Sequence, residues 1–240
     1  MDISHPSGFG RTPVLARNAV ASSQPLATQA GLEALQLGGN AVDAALATAI
    51  TLTVVEPTMN GIGGDGFALI WDGKKLHGLN ASGRAPAAWT PDFFAGKSAM
   101  PLIGWDTVTV PGMVSGWVAL SKRFGRLPFA SLFKRAIAYA ENGFPVSPVV
   151  ARQWREAIPI LQGQPGFLES FTLNGRAPLA GEIWRFPEQA KTLRSIANST
   201  GESFYQGEIA QTIVDFAKKT GGSFSLADFA AHEANWVEPL

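Results

Sequence analysis

Apolar residues recur at helical spacing through most of the chain, so the sequence predicts a mainly helical architecture. The first helix is capped by Ser22 or Ser23, carries Pro25 in its first turn and ends at Gly38–Gly39. A second helix covers 41–55, is apolar on almost every side and should therefore be buried. Further helices are predicted over 112–124, 129–141, 150–165, 187–197 and 207–219, with a capped turn at 225–231.

Extended segments are fewer and are not enough for a closed sheet. Phe67–Trp71 is a short apolar run, residues 75–79 alternate, and Asp72–Gly73 between them is a strong hairpin signal. Val14–Ala16 and the stretch after Ala231 are predicted as two further extended pieces. A hairpin with two unpaired strands is not stable in water. We therefore expect an α+β, mostly helical chain of 240 residues that forms a single incomplete domain, completed by further chain.

The stretch GIGGDG, residues 61–66, has the glycine spacing of a dinucleotide-binding fingerprint. That fingerprint needs a strand before it and a helix after it, because the pyrophosphate sits on the helix N-terminus. Here a helix capped at Asn40 precedes the glycines and the hairpin follows them, so nucleotide binding is disfavoured. We interpret the segment as a tightly packed structural loop, in preference to a direct ligand contact. Its residues of interest are Gly61, Gly63, Gly64, Gly66 and Asp65, which is expected to cap or bond the loop.

Composition excludes several kinds of chemistry. The net charge is zero with no charged run, so nothing favours nucleic acid or an anionic membrane as partner. The absence of cysteine excludes thiolate, iron–sulfur and disulfide chemistry. His5, His77 and His232 are far apart in sequence, so we expect no metal and no cofactor. No signal peptide is visible and the apolar run at 41–55 is too short to span a bilayer, so we expect a cytoplasmic protein.

Three segments together resemble the γ-glutamyltranspeptidase family. They are residues 26–57 with the core GGNAVDAA, residues 60–71 (NGIGGDGFALIW) and residues 108–120 (VTVPGMVSGWVAL). Weaker matches extend the resemblance from about residue 14 to the end of the sequence.

This resemblance implies an N-terminal-nucleophile hydrolase with a four-layer αββα sandwich. In that family a precursor cuts itself into a large and a small subunit, and the new N-terminal threonine of the small subunit attacks a γ-glutamyl amide. No threonine of this chain matches that residue, so we expect most of a large subunit and no catalytic nucleophile. The expected partners are the rest of the large subunit, the small subunit, and a γ-glutamyl or other acyl-amide substrate.

The substrate pocket departs from the family pattern. The family's Asp-x-Arg-Glu-x-Ala-Pro, whose arginine holds the substrate carboxylate, is replaced by NASGRAP at 80–86. Ser82 stands at the arginine's place and Arg84 lies two residues later, which in extended chain displaces the Cα by about 6–7 Å on the same face. Because bidentate arginine is a natural partner of a carboxylate, Arg84 and Ser82 are the candidate substrate-binding residues. The alternative is a surface arginine packed beside Pro86.

Three functions remain open on this reading. The first is γ-glutamyl transfer or hydrolysis, on substrates such as glutathione. The second is cleavage of another amide, as by glutaryl or cephalosporin acylases or a small amidohydrolase. The third is a non-catalytic fragment that acts only in assembly. The first two differ at residues 80–86, where the displaced arginine leaves the acyl group open.

Overall fold

The computed structural model describes residues 15–239, which form a helix-rich α+β unit. Its helices are α1 (Pro25–Gln36), α2 (Ala41–Val55), α3 (Met113–Phe124), α4 (Lys134–Asn142), α5 (Pro148–Leu161), α6 (Phe167–Phe171), α7 (Pro187–Asn198), α8 (Glu202–Gln206), α9 (Glu208–Thr220) and α10 (Leu226–Ala230). Its strands are β1 (Gly66–Trp71), β2 (Leu76–Ala81), β3 (Phe144–Pro145), β4 (Ile183–Trp184) and β5 (Asn235–Val237). Within 15–239 no helix is long and apolar enough to cross a membrane.

Helix α2 is the buried axis of the helical layer. The cap expected at Asn40 is confirmed, since Asn40 and Asp43 form a capping box at its N-terminus. Asp43 is fully buried and also accepts hydrogen bonds from the main-chain N–H groups of Arg126 and Leu127. This carboxylate therefore ties α2 to the segment that follows α3. For α1 the expected serine cap is wrong, because Gln24 caps that helix.

The hairpin predicted around Asp72–Gly73 is confirmed, and it belongs to a three-stranded antiparallel sheet in the order β1-β2-β5. The expectation of unpaired strands is wrong for the segment after Ala231, because β5 pairs with β2. It is also wrong for Leu15 and Ala16, which form no strand; Val14 lies outside the described residues. The two-residue pair β3-β4 was not predicted, because strands so short carry no periodic signal.

The helices predicted from the sequence are present in the structure, but several begin or end at different residues. Residues 129–141 divide into a 3₁₀ turn at Phe129–Phe133 and helix α4. Residues 150–165 correspond to α5, which ends at Leu161, followed by the short α6. The capped turn at 225–231 is confirmed as α10, with a capping box between Ser225 and Asp228.

The two faces of the sheet differ in what covers them. Alternate residues of β1, such as Ala68 and Ile70, face the helices and are partly covered. The opposite side, here called the open face, carries the exposed apolar side chains of Phe67, Leu69, Trp71, Leu76 and Val237. Phe67 and Leu69 are each 69% exposed and Trp71 is 65% exposed. Large contiguous apolar surface of this kind marks an interaction site.

Candidate functional site

The glycine loop (residues 61–66) and the segment after β2 leave the sheet at the same end. Gly66, at the start of β1, is paired with Ala81, at the end of β2. The start of α3 meets both segments there. The carbonyl of Gly64 accepts hydrogen bonds from the N–H groups of Gly112 and Met113, each at 3.1 Å. The glycines therefore join a helix to a hairpin, as predicted, and they rest on a third element.

Close backbone contact at this point requires glycine. A Cβ on Gly112 would lie 2.1 Å from the carbonyl oxygen of Ala81, and one on Gly116 would lie 2.8 Å from the Cβ of Ala81. A Cβ on Gly83 would lie 2.0 Å from the carbonyl oxygen of Val110. Gly83 also has φ of +84°, which side chains rarely adopt. We call Gly83, Gly112 and Gly116 the glycine crossing.

Within the glycine loop the residues differ in role. A Cβ on Gly64 would lie 3.1 Å from the carbonyl of Gly61, and one on Gly66 would lie 3.3 Å from Met113 Sδ. Gly61 and Gly63 have open space around the same position, so packing does not require glycine there. Asp65 is exposed and makes no side-chain hydrogen bond within residues 15–239. The loop is therefore held by its main chain.

The main chain that carries Arg84 is pinned from one side by the segment before α3. The N–H of Ser82 donates to Asn80 Oδ1 at 2.9 Å, which ends the strand. The N–H of Val110 donates to the carbonyl of Arg84 at 2.9 Å. The positive φ of Gly83 breaks the extended chain, so the expectation that Ser82 and Arg84 share one face of extended chain does not hold.

The same segment is pinned from the other side by residues near α10. The N–H of Ala87 donates to Asp228 Oδ1 at 2.8 Å, and the indole N–H of Trp89 donates to Ser223 Oγ at 3.1 Å. Burial opposes ionisation of Asp228 most strongly, yet the hydrogen bonds from Ala87 and Ser225 outweigh it and lower its pKa. We call residues 82–89 the Arg84 loop. Its backbone is fixed, while the Arg84 side chain is exposed and forms no ion pair or side-chain hydrogen bond within 15–239.

A buried polar cluster lies behind this loop. The hydroxyl of Tyr205 donates to the carbonyl of Pro111 at 2.7 Å and accepts from the N–H of Ser115 at 2.9 Å. Burial raises the pKa of Tyr205 to about 12. Ser115 Oγ lies 3.1 Å from His232 Nε2, and the ring of His232 lies 5.4 Å from that of Tyr205.

The protonation of His232 follows from its partners. Ser115 has one hydroxyl proton and donates it to the carbonyl of Gly112 at 2.8 Å, so His232 Nε2–H is the donor to Ser115 Oγ. The other ring nitrogen, Nδ1, is buried without a partner in the described chain. Burial first, and the charge of Arg84 second, lower the pKa of His232, while Glu233 acts in the opposite direction. From the sequence His232 could be weighed only as a metal ligand, because the partners of its side chain, Ser115 and Tyr205, lie at least 27 positions away along the chain.

The glycine loop also borders an open cavity of about 840 Å³. Its lining includes Asn60, Gly61 and Ile62 as well as the aromatic residues Phe171 and Trp184. Neither Ser82 nor Arg84 lines this cavity. Within 15–239 no cluster of His, Cys, Asp or Glu could hold a metal ion, and the expected lack of a cofactor stays a prediction.

Comparison with known proteins shows the family to which the chain belongs. The sequence model of the Gamma-glutamyltranspeptidase family matches residues 27–240. The glutathione hydrolase-like YwrD proenzyme of Bacillus subtilis strain 168 is 41% identical over 224 residues, which cover 92% of this chain and 43% of that protein. The oxamate amidohydrolase proenzyme of Klebsiella pneumoniae is 39% identical over 224 residues, covering 90% and 42% of the two chains.

Among solved structures, the cephalosporin acylase from Bacillus halodurans superimposes with a TM-score of 0.88 at 46% identity, covering 98% of this chain and 47% of that one. The chain belongs to the γ-glutamyltranspeptidase family, as its motifs predicted. The expected α+β fold is confirmed by its match to the solved N-terminal-nucleophile hydrolases of this family. The chain spans less than half the length of the two curated relatives.

We predict that Gly83→Ala destabilises the protein more than Gly73→Ala. Both glycines have positive φ, so each substitution introduces backbone strain of roughly 1–2 kcal/mol. Only at Gly83 does the new methyl meet backbone, the carbonyl of Val110. For a domain of this size each kcal/mol lowers Tm by about 2–4 °C. Calorimetry should show a Tm loss at least twice as large for Gly83→Ala, and equal losses would mean that the crossing relaxes without cost.

Proposed function

We propose that this chain is the large-subunit part of an amidase that transfers or hydrolyses an acyl group bearing a carboxylate, with γ-glutamyl amides such as glutathione as the favoured substrates. One observation supports this most directly. Arg84 has an exposed guanidinium without an ion-pair partner in the described chain, on a backbone fixed at the end of the sheet. A fixed, unpaired arginine suits bidentate recognition of a carboxylate.

The second candidate function is cleavage of another amide, and relatives named for such substrates support it. One relative is named for oxamate, a small amide whose carboxylate adjoins the amide carbon, and a solved neighbour is named as a cephalosporin acylase. A glutaryl or cephalosporin acylase, or a small amidohydrolase, is therefore the second candidate. Oxamate differs from a γ-glutamyl amide in the distance between carboxylate and scissile amide, which the position of Arg84 would set, whereas a glutaryl group has the same chain length and lacks only the α-amino group.

In the proposed reaction the nucleophile is the N-terminal threonine of a small subunit, outside residues 1–240. The curated relatives are named as proenzymes, which supports a processed partner. The threonine hydroxyl attacks the amide carbon while its own α-amine takes the proton and passes it to the leaving amine. Water or an acceptor amine then releases the acyl group from the threonine. Ser82 and Arg84 contribute by holding the acyl group, which orients the amide for attack.

The proposal extends to assembly. The open face is apolar and uncovered, and a four-layer sandwich needs a second sheet against such a face. We propose that the rest of the large subunit and the small subunit pack there, so that residues 1–240 are one incomplete domain. We also propose a cytoplasmic location for the protein.

We predict that purified residues 1–240 do not turn over γ-glutamyl-p-nitroanilide, because the proposed nucleophile lies elsewhere. Release of p-nitroaniline should equal the buffer blank, whereas the full-length enzyme should give a signal. Turnover that follows the 1–240 protein through repeated purification would contradict the assignment of the nucleophile. Activity in neither protein would argue against γ-glutamyl amides as substrates and leave cleavage of another amide or a role in assembly alone.

We predict that Leu69→Lys in the full-length protein impairs assembly, because it places a charge in the middle of the open face. Leu102→Lys is the matched control, since Leu102 is 96% exposed and lies outside the sheet. Gel filtration and binding of the dye ANS should show dissociated or aggregated subunits for Leu69→Lys and normal behaviour for Leu102→Lys. Normal assembly of both variants would mean that the open face is solvent-exposed in the mature protein.

We predict that Arg84→Ala in the full-length enzyme lowers kcat/KM about ten- to a hundredfold for γ-glutamyl-p-nitroanilide. A charged hydrogen bond is worth roughly 1.5–3 kcal/mol, which corresponds to that factor. An uncharged substrate such as butyryl-p-nitroanilide should lose much less. Arg84→Lys should restore activity only in part, because a point charge does not reproduce the planar fork.

Arg155→Ala is the control, since Arg155 is an exposed arginine on α5, outside the Arg84 loop. It should leave both substrates unchanged. An equal loss of kcat/KM for charged and uncharged substrates in Arg84→Ala would show that Arg84 is structural. The recognition residue would then have to be sought outside this chain.

A further inference from the structure

The start of α3 supports both parts of the candidate site. Gly112 and Met113 bind the glycine loop through the carbonyl of Gly64, and Val110 binds the carbonyl of Arg84. A shift of this short segment would therefore move the Arg84 loop and the glycine loop together. What holds the segment in place decides how precisely Arg84 is presented.

Two side chains from distant elements hold that segment. Tyr205 of α8 bonds both the carbonyl of Pro111 and the N–H of Ser115. His232, just after α10, donates to Ser115 Oγ, which in turn donates to the carbonyl of Gly112. Each main-chain group involved lies within three residues of Gly112.

The α10 segment also holds the Arg84 loop directly. Asp228, four residues before His232, accepts the N–H of Ala87. Arg84 thus lies between two points that the same short segment fixes, one through Asp228 and one through His232 and Ser115. The charge of Arg84 is close enough to His232 to lower its pKa.

His232 is a costly residue for packing alone. Its Nδ1 is buried with no partner in the described chain, and leaving a buried polar atom unsatisfied costs stability. An apolar side chain of similar size would avoid that cost while filling the same space. An apolar side chain could neither donate a hydrogen bond to Ser115 nor respond to the charge of Arg84 by a change in pKa.

We propose that His232 is a positioning residue for Arg84: by bonding Ser115 it fixes the start of α3 that carries the Arg84 loop, and it thereby sets selectivity for carboxylate-bearing acyl groups. This proposal rests on the proposed function of Arg84. In this proposal His232 itself does not contact the substrate. The residue acts through Ser115, Gly112 and Val110.

Binding of a carboxylate to Arg84 is also linked to the protonation of His232. The titratable and charged groups around His232 are Arg84, Glu233 and Tyr205, and Tyr205 stays neutral because its pKa is raised. Burial is the main reason for the lowered pKa of His232 and the Arg84 charge is the second; a substrate carboxylate on Arg84 would cancel that second effect, so binding raises the pKa. Binding then favours the protonated form, and KM for such a substrate decreases as the pH falls through the range below about 6.5. An uncharged substrate lacks this effect.

The test uses the full-length enzyme with three variants. His232→Leu removes the bond to Ser115, His232→Gln keeps a donor for it but does not titrate, and His77→Gln is the control on β2. KM and kcat are measured between pH 5 and 8 with γ-glutamyl-p-nitroanilide, glutaryl-p-nitroanilide and butyryl-p-nitroanilide.

For His232→Leu we expect KM to rise about tenfold on the carboxylate-bearing substrates at pH 7.5, with kcat within about twofold and butyryl-p-nitroanilide unchanged. His232→Gln should restore KM to within about threefold of wild type at that pH and lose the decrease of KM at acidic pH. His77→Gln should behave as wild type. A rise in KM that is equal for charged and uncharged substrates, no rise at all, or an acidic decrease of KM that persists in His232→Gln would overturn the proposal.

A second measurement separates this proposal from the proposed function. NMR titration of His232 is compared in wild type, in Arg84→Ala and in the presence of glutarate. Arg84→Ala should raise the pKa of His232 whatever the substrate is, and an unchanged pKa would overturn the coupling between the two residues. If Arg84→Ala raises the pKa but glutarate does not, the coupling stands and the carboxylate function of Arg84 fails.

Discussion

The structure depends on one close approach, where the start of α3 passes over the two ends of the hairpin at van der Waals distance. The main chain of Gly112 contacts Ala81, while its N–H bonds Gly64. Only residues without a side chain allow three backbones to meet at this distance. Because the contact is between main chains, its geometry is nearly independent of surface side chains. That rigidity makes the end of the sheet suitable for presenting a single charged group.

Among the ionisable groups around the glycine crossing, Arg84 carries a charge that no described residue pairs with. Tyr205 and His232 are buried and held in their neutral forms, the first by a raised pKa and the second by a lowered one. Asp228 is ionised but occupied by main-chain N–H groups of Ala87 and Ser225. In the described chain Arg84 has no such partner, so its field is not cancelled locally. An unpaired cation beside a neutral buried network is a natural recognition group for an anion.

Local signals in the sequence predicted local structure well. The capping box at Asn40 and the turn at Asp72–Gly73 are encoded within four residues, and both appear where the pattern places them. The pairing of β5 with β2 is not, because it joins residues more than 150 positions apart. The bonds from Ser115 to Tyr205 and to His232 span 90 and 117 positions for the same reason. The candidate loop was thus predicted from motif and resemblance, whereas the network behind it required the fold.

The conformation of Gly83 explains why Arg84 does not continue the line of the strand. In an extended chain a two-residue shift would slide the guanidinium along one face of the sheet. The left-handed Gly83 instead turns the chain, and the Arg84 carbonyl is captured by Val110 while its charge acts on His232 in the helical layer. The main chain of Arg84 is therefore tied to the segment before α3, while its side chain stays exposed and unpaired in the described residues. If the family's nucleophile keeps its place relative to the sheet, an acyl carboxylate must reach a different point from the one that an arginine at position 82 would define. If Arg84 binds the acyl carboxylate as proposed, the length and bend of the acyl group therefore matter as well as its charge.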